Sequence, residues 1–153
     1  MRFQKYLKLF LIGILVCCFL AACKEVEQRE PSTIVVSEPV SFQLELQEAT
    51  PTGIKVEVEN FSEEDLQWGS WTLEEKVDGI WYNIEFVPPE GTVLMENLSL
   101  PLLPQGETRE IVYKWDAFVG ELKPGYYRVI REFFYEERKR KDKIYVACEF
   151  EIE

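Results

Sequence analysis

Three thiols, Cys17, Cys18 and Cys23, fall within seven residues of the stretch "LVCCFLAACKEVEQ", Leu15 to Gln28, and Cys148 stands far from them. Thiols offer nucleophilic, redox or metal chemistry, but a nucleophile needs a nearby base to make it a thiolate. The chain has no histidine at all, which removes the commonest general base and the commonest transition-metal ligand. Two carboxylate groupings remain. Glu63, Glu64 and Asp65 could offer oxygen ligands to calcium, although their spacing fits no known calcium loop, and a solvated turn is the plainer reading. Glu74 and Glu75 suggest the carboxylate pair of a glycosidase. Neighbours along a strand point to opposite faces, so these two cannot flank one bond. With no nucleophile–base pair, phosphate loop or metal cluster in view, the residues predict no catalytic site, no cofactor and no metal.

The clustered thiols make sense once the elements around them are read. Arg2, Lys5 and Lys8 precede an uncharged run from Leu9 to Ala22; its 14 residues fall short of the roughly 20 that a helix needs to cross a bilayer. A basic start, a short apolar run and small residues before a cut form an export signal. The tetrapeptide Leu20-Ala21-Ala22-Cys23 resembles the lipobox of bacterial lipoproteins. That resemblance implies a signal peptide over residues 1–22, diacylation of the Cys23 thiol, and cleavage that makes Cys23 the first residue. Two acyl chains hold a protein firmly where one binds only marginally. The expected partner is therefore the membrane, reached through the N-terminal lipid, with the protein on its extracellular face. An ordinary secretory signal with a chance cysteine is the alternative.

Export changes the cysteine and charge arithmetic. Cys17 and Cys18 leave with the signal and Cys23 is capped, so no disulfide forms within the mature chain. Cys148 alternates in phase with Ile144, Val146, Phe150 and Ile152, which marks it as a buried structural thiol. The whole chain carries 17 basic and 28 acidic residues; loss of three basic residues leaves 14 against 28, a net of −14. Such acidity repels phosphate backbones and anionic headgroups, so no nucleic-acid partner is expected.

Residues 23–39 read as a lipidated start and tether with Pro31 and Pro39, within which Thr33 to Val36 could alternatively pair along a sheet edge. Residues 40–153 suit one domain with a real core. Period-two alternation runs through "VSFQLELQ", "IKVEVEN", "WTLEEKV", "IWYNIEF", "TREIVYKW", "GYYRVIREFFY" and "KIYVACEFEIE", with Asp78-Gly79 as a two-residue hairpin turn. Seven strands separated by Pro and Gly turns, with no helical period, predict an all-β, antiparallel β-sandwich. Pro124-Gly125 predicts a type II turn with Gly125 at positive φ, followed by Tyr127 folding its hydroxyl back as a tyrosine corner, with Tyr126 as the alternative.

The segments "VENFSEEDLQWGSWTLEEKVDGIWYNI", "LLPQGETREIVYKW" and "ELKPGYYRVIREF" together resemble the bacterial immunoglobulin-like domain found in lipoproteins of Gram-positive bacteria. Asn60, the Asp78-to-Tyr82 hairpin, the Pro104-Gln105-Gly106-Glu107 turn and Leu122-Lys123-Pro124-Gly125 carry the likeness, with Gln105 inserted where that turn usually reads Pro-Gly. The resemblance implies an immunoglobulin-like sandwich and a surface location, and brings no catalytic residues.

A two-residue turn at Asp78-Gly79 sets Lys76 opposite Trp81 on the polar face. Trp81, Lys76 and Trp68 are the candidate binding residues, a platform for a sugar ring or a partner protein; a structural stack of Lys76 on Trp81 is the alternative. Trp71 shares the face of Leu73 and is expected in the core. The basic run "EERKRKDK", Glu136 to Lys143, reads as a solvated hairpin loop, with contact to anionic wall polymer or lipid headgroups as the alternative. The expected function is a non-catalytic, lipid-anchored module binding an envelope protein or wall polymer, with an envelope-polymer hydrolase or a structural spacer as alternatives. Cys23→Ser is expected to abolish incorporation of labelled fatty acid and to release the protein from the membrane fraction; labelling that persists in the variant removes Cys23 as the anchor.

Overall fold

The computed structural model describes residues 29–91, 100–135 and 142–153; the cysteines of the export signal, Cys23 and most of the basic run Glu136 to Lys143 lie outside them. Residues 31–153 make one compact unit. Alternation of apolar and polar residues yields eight strands: β1 (Phe42–Thr50), β2 (Gly53–Asn60), β3 (Leu66–Val77), β4 (Ile80–Asn83), β5 (Leu102–Leu103), β6 (Thr108–Lys114), β7 (Gly125–Tyr135) and β8 (Ile144–Ile152). Seven match the expected strands. The two-residue β5 is the addition, lying ahead of the Pro104 turn and pairing with the start of β3.

Two antiparallel sheets result, one ordered β1-β2-β6 and the other β4-β3-β7-β8, with β5 also on β3. Their inner faces share one core: Phe42, Ile54, Val56 and Val58 from the first meet Leu73, Val129, Phe133, Val146, Cys148 and Phe150 from the second. This is an immunoglobulin-like β-sandwich, as the sequence predicts. Trp115 is fully buried, its indole N–H donating to the Pro51 carbonyl at 2.8 Å and its ring stacked on Phe150 at 5.7 Å. Asn60, buried at the end of β2, donates through its amide nitrogen to the carbonyls of Glu64 (2.9 Å) and Leu103 (3.1 Å) and accepts from Ser62. A strand end buried in this way needs such partners for its polar groups.

Two turns show how local chemistry fixes register. Asp78 (φ 50°) and Gly79 (φ 83°) both take positive φ, the requirement of a two-residue hairpin whose twist matches its strands; Lys76 therefore pairs with Trp81 and Val77 with Ile80, as predicted. The expected type II turn at Pro124-Gly125 does not form. Gly125 has no positive φ and instead opens β7 opposite Ile152. Its small size serves packing, because a Cβ there would lie 3.3 Å from the Tyr127 ring. Tyr127 does make the expected corner, its hydroxyl donating to the Lys123 carbonyl at 2.8 Å.

β3 is longer than the sequence suggests. It begins at Leu66 and carries a bulge between Trp68 and Trp71, where its register against β7 shifts by one residue. A bulge of this kind exchanges the faces of the strand on either side of it. Leu66 and Trp68 point inward before it, and Trp71 and Leu73 after it. Gly69, inside the bulge, leaves room for the Glu132 carboxylate, since a Cβ at that position would stand 2.7 Å from one of its oxygens.

The stretch expected as the end of a tether is also held. Ser32 N–H donates to the Trp81 carbonyl on β4 at 2.8 Å, and Ser37 N–H donates to the Tyr145 carbonyl on β8 at 2.8 Å. These strands are the two ends of the β4-β3-β7-β8 order, so the segment straps the sheet from one edge to the other. Ser32, Ile34 and Val36 are half-buried while Thr33 and Val35 are exposed.

Cys148 is buried and free of any disulfide, and burial pushes its thiol from 9.0 up to about 11. The unfolded chain releases this proton at lower pH than the folded one, so the thiol's contribution to stability is full below about pH 9 and is lost as pH rises through about 11. Chemical denaturation across that range is expected to show a shallower decline for Cys148→Ala than for the parent; equal slopes remove the thiol as the cause.

Candidate functional site

The outer face of the β4-β3-β7-β8 sheet is ordered by register into rows. One row reads Trp81, Lys76, Tyr126, Glu151; the next reads Asn83, Glu74, Arg128, Glu149. Strand alternation sends all eight side chains to the face turned away from the core. This brings together two of the three candidate binding residues, Trp81 and Lys76.

Their contacts are cationic on aromatic. Lys76 Nζ lies 5.0 Å from the centre of the Trp81 ring, and the Arg128 guanidinium lies 4.3 Å from it. The structural stack of Lys76 on Trp81, the alternative to a binding platform, is present, and Arg128 joins it. Beneath the indole, Arg128 donates through Nε and Nη2 to one carboxylate oxygen of Glu74, each at 2.7 Å. Both residues are buried, Glu74 at 1 % and Arg128 at 8 % exposure. The other Glu74 oxygen, Oε1, has no hydrogen-bond partner among the described residues. An ion pair out of water contributes little net stability, but removal of one member leaves an uncompensated charge. Glu75 faces the opposite side of β3, so the two adjacent glutamates do not share a site.

An open groove of about 510 Å³ adjoins the stack, lined by Lys76, Trp81, Tyr126, Glu149 and Glu151 together with Tyr127 and Phe150. Tyr126 is 57 % exposed. The Glu151 carboxylate beside it raises its hydroxyl pKa above the ordinary 10.0, because ionisation would set two negative charges together.

Trp68, the third candidate, is corrected by the structure: it is 4 % exposed and packs on Phe133 in the core. The bulge in β3 turns it inward, out of reach of a surface ligand. Trp71 is half-buried against the core, edge-on to Phe86 and Tyr113. In the acidic loop, Asp65 accepts the Gln105 N–H at 3.0 Å and Glu63 is exposed. The sequence reading missed Arg128, Glu149 and Glu151 as members of the face. Their alternation with Tyr127, Val129, Cys148 and Phe150 puts them on the outer side, but only pairing between distant strands places them beside Trp81.

Residues 37–150 match the family model described as a bacterial Ig-like domain, and the chain belongs to that family. Membership suggests a non-catalytic module. No curated protein and no solved structure matches the chain.

Glu74→Ala is expected to lower stability by about 3–5 kcal/mol by stranding Arg128, whereas Glu74→Leu with Arg128→Met recovers most of the loss. Urea denaturation of the single and double variants checks this; a double variant as unstable as the single one shows that the pair itself, not the stranded charge, matters.

Proposed function

We propose that this protein is a non-catalytic, lipid-anchored Ig-like module that binds a protein or cell-wall component at the outer face of the membrane, through the surface around Trp81 and Tyr126. The observation that carries the reading is the open groove beside an ordered aromatic row. Lys76 and Arg128 fix the Trp81 ring, and Tyr126 offers more than half of its surface, so aromatic contact area is available with little ordering cost on binding. Family membership and the lack of a nucleophile–base pair in the sequence favour binding over turnover. The N-terminal export pattern with Cys23 supports the membrane location.

A photo-crosslinking residue at position 126, in the full-length protein in living cells, is expected to capture a discrete partner that a probe at exposed Glu57 on the other sheet does not. Equal capture at both positions, or at neither, defeats this assignment of the binding surface and favours a structural spacer.

A further inference from the structure

The groove beside Trp81 has a chemistry of its own, and this step rests on the reading of that face as a binding surface. Glu149 and Glu151 lie two residues apart on β8, both exposed and both on the outer side, with Tyr126 directly opposite Glu151. The basic groups nearby are already engaged. Both nitrogens that Arg128 brings to bear go to Glu74, and Lys76 lies over Trp81. Glu149, although opposite Arg128 in register, has no ion pair among the described residues. The groove therefore presents two carboxylates and the exposed ring of Tyr126 on its β7–β8 side, with the Lys76 ammonium held at its Trp81 side.

We infer that this groove seats a cationic side chain, lysine or arginine, from an extended segment of a partner protein. The cation lies over the Tyr126 ring, where the negative face of the aromatic system attracts it, and between the Glu149 and Glu151 carboxylates, which accept its N–H groups in charge-assisted hydrogen bonds. The same two carboxylates repel anionic wall polymers and lipid headgroups, so charge selects a protein over those ligands. The apolar stem of a lysine or arginine suits the aromatic wall formed by Trp81 and Tyr126. A groove of about 510 Å³ has room for such a side chain and its flanking backbone.

The test uses a fluorescein-labelled peptide, Gly-Lys-Gly-Lys-Gly, titrated against the full chain and followed by anisotropy. Saturable binding is expected, weakened about tenfold by Glu149→Gln with Glu151→Gln and about fivefold by Tyr126→Ala. Glu45→Gln with Glu57→Gln makes the same change in net charge on the other sheet, where both residues are exposed and paired across β1 and β2. It is expected to leave affinity within about twofold, since exposed charges beyond a Debye length are largely screened. Equal weakening by the two double variants marks a general attraction to an acidic chain and overturns the inference, as does an absence of saturable binding. If a probe at position 126 captures a partner while the lysine peptide does not bind, the surface stands and the cationic occupant falls; failure of both removes the surface as well.

Discussion

The bulge at Trp68 to Trp71 is the constraint on which the rest of the sheet depends. A straight strand sends residues of opposite parity to opposite faces, so Trp68 and Leu73 could not both reach the core. The extra residue resolves that conflict. It buries Leu66 and Trp68 ahead of the kink and Leu73 behind it, and leaves Glu74 and Lys76 on the outer side. The β3–β7 register that follows sets Glu74 opposite Arg128 and Lys76 opposite Tyr126. A side chain at Gly69 would meet the Glu132 carboxylate.

The outer face that results is unusually polar for its burial. Glu74, Arg128 and Glu132 are each less than a tenth exposed, and Glu132 is met by Lys143 at 2.9 Å. Buried charges must be paired and directed, so this face is fixed in geometry before any ligand arrives. The stack of Lys76 and Arg128 on Trp81 extends the fixed region to the rim of the groove. Beyond it, Tyr126, Glu149 and Glu151 remain open to solvent. The face thus divides into a fixed part built on paired charges and an accessible, acidic, aromatic part.

Much of the fold was legible because it depends on short-range chemistry. Alternation along each strand marks its inward side, and Asp78-Gly79 dictates a two-residue turn through positive φ, so the pairing of Lys76 with Trp81 follows from the chain alone. The corner made by Tyr127 was readable for the same reason. The role of Gly125 was not, since it answers to the Tyr127 ring packed against it rather than to the turn before it. Trp68 was misplaced because a bulge is a response to tertiary crowding and leaves only a glycine as its local sign.

The sequence by itself determined seven of the eight strands, the hairpin register, the buried thiol and the absence of histidine chemistry, because each is set by a residue and its immediate neighbours. Tertiary structure decided which strands lie side by side, and hence that Glu74 neutralises Arg128, that Trp81 is clasped by two cations, and that residues 31 to 37 strap the sheet. Those outcomes join residues as far apart as Glu74 and Arg128. No local pattern encodes them, since they arise only when the burial of the inner faces forces the outer ones into register.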